Sequence, residues 1–197
     1  MVIGVTGQIG TGKSEAAHLL AQMGAFVISA DDIGREVVEK NPDILAALAG
    51  KFGSDILTPT GRLRRKELGR RAFVSSKSKA ELNRIVHPKL LKELSRQVDS
   101  AKKEYSLIVI DAALLIDWGW HNKVDLTILL KAGKEIKFSR LARRGFSRSE
   151  ALARLKSQRK YSDLRSFADV VILNNRDKKY LKTRLAKILS KFSNKRA

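Results

Sequence analysis

The residues best suited to chemistry stand near the amino terminus, in the stretch Gly7-Gln8-Ile9-Gly10-Thr11-Gly12-Lys13-Ser14. This stretch completes the pattern G-x-x-x-x-G-K-S, in which glycines let consecutive backbone N–H groups point inward at a polyphosphate. Lys13 could then reach the β- and γ-phosphates, and Ser14 could ligate Mg²⁺. The spacing therefore predicts a phosphate-binding loop for a nucleoside triphosphate.

The flanking sequence decides between this interpretation and a glycine-rich turn without chemical consequence. The apolar run Val2–Val5 precedes the loop, and residues 15–23 have a helical pattern. Strand, loop and helix in that order are the context that the motif requires. We therefore favour triphosphate binding over the inert turn.

Carboxylates follow two further apolar runs, Phe26–Ile28 and Leu107–Ile110. Open parallel sheets bind ligands at the carboxyl ends of their strands, which is where Asp31 and Asp111 are expected. Asp111 could hold Mg²⁺ or its water shell, although many buried strands end in aspartate. Asp31 could equally cap the helix that follows it. We expect the second strand to lie beside the first.

Apolar runs at 126–130 and 170–173 complete a set of five strands that alternate with helices. This alternation predicts an α/β fold with a doubly wound parallel sheet, in a single domain over residues 1–197. Residues 41–103 read as helical, which predicts a helical insertion into a core of about 1–40 and 104–197. Within it, His87-Pro88 predicts the start of a helix, although His87 could also hold a phosphate or a substrate carbonyl.

Residues 138–160 read as helix, basic turn and helix, with Ser147 and Glu150 spaced as a capping box. One interpretation is a mobile lid that brings Arg143 or Arg144 over the transferring phosphate and excludes water. The other is a pair of exposed helices with a solvated basic turn. The last residues, 193–197, are expected to be frayed.

Composition limits the classes of function. The chain of 197 residues has no cysteine, which excludes disulfides and thiolate chemistry, and 40 Lys and Arg against 20 Asp and Glu give a formal charge of +20. The basic residues are spread along the chain and aromatic content is 6%. These features favour phosphorylated small substrates, or simply a solvated basic surface, over nucleic acid as the partner. No apolar run approaches the ~20 residues that span a bilayer, so we expect a cytoplasmic protein without membrane contact, as a monomer or weak oligomer.

Several of these motifs together resemble the dephospho-coenzyme A kinase family, from Val2 to about Asn175. Residues 5–14 resemble the family's TGGIGSGKS loop, and residues 27–31 resemble its VIDAD segment. The remaining matches are Phe52-Gly53, Gly61 with Arg65 and Leu68, His87-Pro88, Leu114–Asp117 for LLxE, Arg143, Gln158, and Ala168-Asp169 through Asn174 for ADxxIxN.

The resemblance implies a P-loop kinase that transfers the ATP γ-phosphoryl group to the ribose 3′-hydroxyl of dephospho-coenzyme A. Asp31 would orient or deprotonate that hydroxyl, and Lys13 and Arg143 would stabilise charge on the transferring group. The other implied roles are Mg²⁺ at Ser14, acceptor binding by Arg65, His87 and the helical insertion, substrate contact at Asp111, and the ATP base near Asn174.

Five residues depart from the family pattern. Gln8 replaces a usual glycine at a position that the loop pattern leaves open, and Ser29 replaces the first acid of the DAD segment. Glu15 stands where a threonine often follows the loop, Asp117 is shorter than the usual glutamate, and Arg176 follows the asparagines where a glycine is common. None removes a group that the mechanism needs. The alternatives are another small P-loop kinase for nucleosides or nucleotides, and a nucleic-acid-binding P-loop ATPase.

Overall fold

A computed structural model describes residues 1–193 of the chain. The contacts divide the chain into two compact units. The first unit contains residues 1–29 and the chain from residue 101 onward, and the second contains residues 30–100.

The first unit contains a parallel sheet of five strands in the described part of the chain. The strands are β1 (Val2–Gly7), β2 (Phe26–Ser29), β3 (Ile108–Asp111), β4 (Leu126–Lys131) and β5 (Val170–Leu173). The helices of both units are α1 (Lys13–Ala21), α2 (Ala30–Glu39), α3 (Pro42–Phe52), α4 (Arg65–Ala72), α5 (Ser76–Ala101), α6 (Lys134–Ala142), α7 (Arg148–Lys156), α8 (Tyr161–Arg165) and α9 (Lys178–Ser193). The five predicted strands and the α/β class are confirmed.

The strand order is β2-β3-β1-β4-β5, so the expectation that β2 lies beside β1 is wrong. β3 lies between them, pairing Val109 with Ile3 on one side and with Val27 on the other. The reason is burial. The first three residues of β3 are fully buried, whereas β2 carries the exposed Phe26 and suits an edge.

Successive side chains of β4 pack on opposite faces of the sheet, as the period of a strand requires. Ile128 and Leu130 belong to the buried cluster formed with α1 and α9, while Leu129 packs with Leu164 of α8. Helices therefore cover both faces of the sheet, which explains why the strands read as continuous apolar runs.

The second unit is made of α2 to α5 and a short 3₁₀ turn over Ser54–Ile56. α3 is capped at its start by Asn41, whose side chain accepts from the N–H of Ile44 at 3.4 Å, and Gly53 caps its end. Hydrogen bonds from the arginines at 70 and 71 lower the pKa of Glu67 to about 2. Hydrogen bonds from residues 96 and 97 do the same for Glu93.

Pro88 does not begin a helix, so the predicted helix start at His87-Pro88 is wrong. α5 runs unbroken from Ser76 to Ala101, and Pro88 stands on an exposed position inside it. Proline lacks the N–H that would bond one turn back. The loss is tolerated because Leu90, Leu94 and the other apolar residues of the same face are buried.

The predicted capping box at the start of α7 is confirmed. The Ser147 hydroxyl accepts from the N–H of Glu150 at 3.2 Å, and the Glu150 carboxylate accepts from the N–H of Ser147 at 2.8 Å. The sequence predicts a frayed tail at residues 193–197. Ser193 is the last residue of α9, and residues 194–197 lie outside the described part. Across residues 1–193, every helix is too short or too polar to cross a membrane.

Candidate active site

The predicted phosphate loop joins β1 to α1, which confirms the expected strand, loop and helix. Gly10 and Gly12 have φ of 78° and 95°, the left-handed region that favours glycine. The turn is closed at Gln8, whose carbonyl oxygen accepts from the Thr11 N–H at 3.3 Å and from the Thr11 hydroxyl at 2.7 Å. The loop thus has a defined shape held by its own main chain.

The outer side of the loop is fixed by two side chains that bind its carbonyl oxygens. Asn174, just past the end of β5 and 3% exposed, donates its amide to the Thr11 oxygen at 2.9 Å. Arg140 of α6 donates to the oxygens of Gly10 and Thr11 at 3.3 and 3.2 Å, and to that of Asn174 at 3.0 Å. These bonds hold the loop through its carbonyl groups, and main-chain N–H groups in a loop of this kind can bind an anion.

Arg140 keeps its charge in this place. Burial, and to a smaller extent the charge of Arg143, lowers the pKa of Arg140. A guanidinium group nevertheless remains protonated in proteins. Three carbonyl oxygens therefore receive charge-assisted hydrogen bonds, which are stronger than neutral ones.

Lys13 and Ser14 stand at the start of α1, where the helix dipole favours anions. The Lys13 ammonium contacts the Gln8 carbonyl oxygen at 3.4 Å, which is a long and weak hydrogen bond. The Ser14 side chain is exposed at the same helix end.

Asp111 ends β3, in register with Val5 on one side and Ser29 on the other, and it is half-buried. α1 packs against β3, the strand that carries Asp111. A serine hydroxyl and a carboxylate are hard oxygen ligands of the kind that Mg²⁺ prefers. The donor set of Ser14 and Asp111 therefore fits this ion.

Gln8 stands at a position that the loop pattern leaves open, and its side chain makes two hydrogen bonds. Its side-chain oxygen accepts from the Lys137 ammonium at 2.8 Å, and its amide nitrogen donates to the carbonyl oxygen of Arg159 at 3.0 Å. The N–H of the next residue, Ile9, donates to the Gln158 side-chain oxygen at 2.8 Å. These contacts tie the loop to residues far along the chain.

Sequence reasoning did not find Lys137 and Arg140, which both contact the loop from α6. The available signal was their spacing, because residues three apart share one face of a helix. That signal is weak in a chain with 40 Lys and Arg.

The predicted lid residues form α6, α7 and a turn with Gly145 at φ 84°. Arg143 follows the last residue of α6, and both it and Arg144 are exposed. In the described part of its own unit, the Arg143 side chain forms no hydrogen bond or ion pair. It therefore differs from Arg140, which the loop holds in place.

The other three predicted residues belong to the second unit. Asp31 is exposed in the first turn of α2, one residue inside the helix. Among the described residues of that unit it accepts no backbone hydrogen bond, so capping does not account for it. Arg65 pairs with Glu39 at 2.5 Å, and His87 is half-buried in α5.

A family model described as dephospho-CoA kinase matches residues 1–179 of this chain. The chain belongs to the dephospho-CoA kinase family. Similar proteins with that name include one from Thermobifida fusca, 36% identical over 187 residues that cover 94% of this chain and 93% of the relative. Another, from Bacillus licheniformis, is 33% identical over 196 residues, or 98% of each chain.

Solved structures agree with this family assignment. The crystal structure of TT1252 from Thermus thermophilus matches with a TM-score of 0.80 and 30% identity over 97% of both chains. The dephospho-CoA kinase from Campylobacter jejuni matches with a TM-score of 0.74 and 25% identity, over 100% of this chain and 98% of that one. Shikimate kinase from Acinetobacter baumannii, at 0.56 and 16%, shares the fold. The protein is a kinase with the predicted α/β fold.

The dephospho-CoA kinase motif at residues 168–174 has a structural role in this chain. The Asp169 carboxylate accepts from the N–H of Thr127 at 2.7 Å, and the Asp169 N–H donates to the Thr127 oxygen at 3.1 Å. The pair fixes the start of β5 against β4. Beyond the carboxyl end of β5, the side-chain oxygen of Asn175 accepts from the N–H of Gly133 at 2.8 Å. These contacts on either side of β5 position Asn174, whose amide binds the loop at Thr11.

Proposed function

We propose that this kinase transfers the γ-phosphoryl group of ATP to the ribose 3′-hydroxyl of dephospho-coenzyme A, giving coenzyme A and ADP. This is the last step of coenzyme A synthesis. Membership of the family supports the choice of acceptor. The observation that carries the donor side is the loop itself, whose carbonyl groups are bound from outside by Arg140 and Asn174 while Lys13 and Ser14 stand at the start of α1.

On the donor side, loop N–H groups and Lys13 bind the phosphates, and Arg143 stabilises charge on the transferring group. Asn174 lies near the ATP base. Ser14, together with Asp111, would hold Mg²⁺, and Asp111 would also contact the substrate. When bound, this ion neutralises charge on the phosphates. The loop residues from Gly7 to Ser14 supply the positioning that dominates phosphoryl transfer.

On the acceptor side, Asp31 orients or deprotonates the attacking hydroxyl. Its exposed carboxylate has no hydrogen-bonding partner to displace among the described residues of its unit. Arg65 and His87 bind the acceptor, and the helical insertion at about 41–103 forms the acceptor-binding lobe. Residues 138–160 act as a lid that excludes water from the transfer.

The remaining parts of the proposal concern the whole chain. Residues 1–197 form a single kinase domain, whose core is about 1–40 and 104–197. The enzyme works in the cytoplasm as a monomer or weak oligomer, with small-molecule substrates and without nucleic acid or membrane partners. The high positive charge serves the capture of phosphorylated substrates.

The deciding experiment measures ATP consumption with dephospho-coenzyme A, nucleosides and nucleoside monophosphates as acceptors, with and without added magnesium chloride. We expect turnover with dephospho-coenzyme A and a product phosphorylated at the ribose 3′ position by mass spectrometry and ³¹P NMR. Faster turnover of a nucleoside or nucleotide would replace the proposed acceptor. ATP hydrolysis stimulated by RNA or DNA would favour a nucleic-acid-dependent ATPase instead.

A further inference from the structure

We propose that Gln8 and Lys137 form a pair of positioning residues that holds the phosphate loop in its binding shape. Gln8 lies in the loop and Lys137 lies on α6, and they meet side chain to side chain at 2.8 Å. Gln8 stands where the family resemblance leads one to expect glycine, which has no side chain to make this contact. The pair is therefore a feature of this chain's own sequence.

Gln8 connects the loop to both ends of the α6–α7 segment. Its oxygen accepts from Lys137 in α6, and its nitrogen donates at 3.0 Å to the carbonyl oxygen of Arg159, beyond the end of α7. Its main-chain oxygen meanwhile closes the loop by accepting from Thr11. One residue thus joins the shape of the loop to two elements that flank it.

The Arg159 end of this connection is itself anchored. The Arg159 guanidinium lies 3.5 Å from the Asp117 carboxylate, 3.4 Å from the Asp163 carbonyl oxygen and 5.5 Å from the centre of the Phe167 ring. These contacts hold the Arg159 side chain, while its main-chain carbonyl oxygen accepts from the Gln8 amide. Asp117, which is shorter than the family's usual glutamate, still reaches Arg159.

The Lys137 ammonium needs the Gln8 side-chain oxygen as its hydrogen-bond acceptor. Burial lowers the pKa of the Lys137 ammonium, which shares a small cavity of about 70 Å³ with Gln8, Thr11, the end of β4, Tyr161 and Leu164. A partly buried ammonium needs an acceptor, because an unpaired charged donor is costly. Removing the Gln8 side chain would leave Lys137 without this partner and open the space behind the loop.

The backbone of Lys137 also limits the loop. A Cβ atom built on Gly10 would lie 3.1 Å from the Lys137 carbonyl oxygen and 3.2 Å from its Cα atom. The loop therefore packs closely on α6 at Gly10 and is joined to it by hydrogen bonding at Gln8. A shift of either residue changes where the loop N–H groups point.

This inference rests on the proposed function only in requiring that the loop binds nucleotide phosphates. Its test is calorimetric binding of ADP and of adenosine, each with magnesium chloride, to the full chain. The variants are Gln8→Gly, Gln8→Met, Lys137→Met and the double variant Gln8→Gly/Lys137→Met. We expect each single variant to bind ADP about tenfold more weakly, the effect of losing one hydrogen bond to a charged group.

Two comparisons separate positioning from a general loss of structure. Adenosine affinity should change less than about twofold, because adenosine lacks the phosphates that the loop binds, and the double variant should bind ADP about as well as the weaker single variant. Lys134→Met, on the same helix, is the matched control and should bind ADP normally. The pairing would be overturned if the loss of ADP affinity in the double variant equalled the product of the losses in the two single variants. Unchanged ADP affinity in Gln8→Met would also overturn it. Wild-type protein that binds no ADP would instead overturn the proposed function.

Discussion

Replacing Gly12 with alanine tests the construction of the phosphate loop, because two separate costs arise at this position. Gly12 has φ of +95°, where a residue with a Cβ atom loses about 1–2 kcal/mol. The added Cβ would also collide with the amide nitrogen of Asn174. Displacing that amide breaks its hydrogen bond to Thr11, and an unsatisfied buried polar group costs roughly 1–3 kcal/mol. The expected total is about 2–5 kcal/mol.

Gly24 provides a matched control within the same unit. Its φ of +93° is nearly the same, but a Cβ atom added there meets nothing within 4 Å. Gly24→Ala should therefore lose about 1–2 kcal/mol, from backbone strain alone. The difference between the two variants isolates the collision with Asn174.

Urea unfolding of both variants measures the free energies, and ADP calorimetry measures the consequence for the loop. We expect Gly12→Ala to bind ADP at least about tenfold more weakly and Gly24→Ala to bind it normally. In Gly12→Ala/Asn174→Ala the collision is removed, so this double variant should be more stable than the sum of the single effects implies. Equal destabilisation by Gly12→Ala and Gly24→Ala, with normal ADP binding in both, would refute the reasoning.

Three further predictions concern catalysis, acid stability and the α7 helix. Asp31→Asn should cut turnover by about 10²-fold or more with ADP affinity nearly unchanged, whereas Asp32→Asn, one residue away, should keep near-normal turnover in the same steady-state assay. Glu67 and Glu93 have pKa values lowered to about 2 from 4.5, so their stabilisation is present above pH 4.5 and is lost as the pH falls toward 2. Thermal melting across that pH range should show a shallower decline in the Glu67→Gln/Glu93→Gln variant. Ser147→Ala should lose about 1 kcal/mol of helix stability, seen as faster amide hydrogen exchange confined to α7, and unchanged exchange there would contradict the capping role.

Much of the first unit could be predicted because its signals are local. Each strand is a short apolar run, and the loop pattern fixes a strand before it and a helix after it. The capping box at Ser147 depends on residues within one turn of each other. Local rules of this kind act within a few residues, so sequence reading recovers them.

The errors arose where distant residues compete. β2 could have paired with β1 by short-range logic, but the more apolar β3 takes that buried place. Pro88 has a helix-start signature, yet the buried apolar face of α5 outweighs one lost hydrogen bond. The contacts of Gln8 have no local signal, because Lys137 and Arg159 lie more than a hundred residues away in sequence. In each case the deciding contact is invisible to a local pattern.

The excess of basic over acidic residues differs between the two units. The sequence of the first unit contains 25 Lys and Arg against 10 Asp and Glu, while the second contains 15 against 10. In the second unit, ion pairs neutralise many of these charges locally, at Glu67 and Glu93 for example.

In the first unit, several cations also lie over aromatic rings. The pairs are Lys131 with Tyr161, Arg148 with Phe138, Arg154 with Phe146, Arg159 with Phe167, and Arg176 with Tyr180. A cation–π contact orders a basic side chain without cancelling its charge. The unit that carries the phosphate loop thus combines ordered side chains with a positive field, and such a field speeds the capture of polyanionic substrates. That capture depends on salt, whereas the contacts inside the loop depend on it much less. We therefore expect the excess charge and the loop geometry to make separable contributions to nucleotide binding.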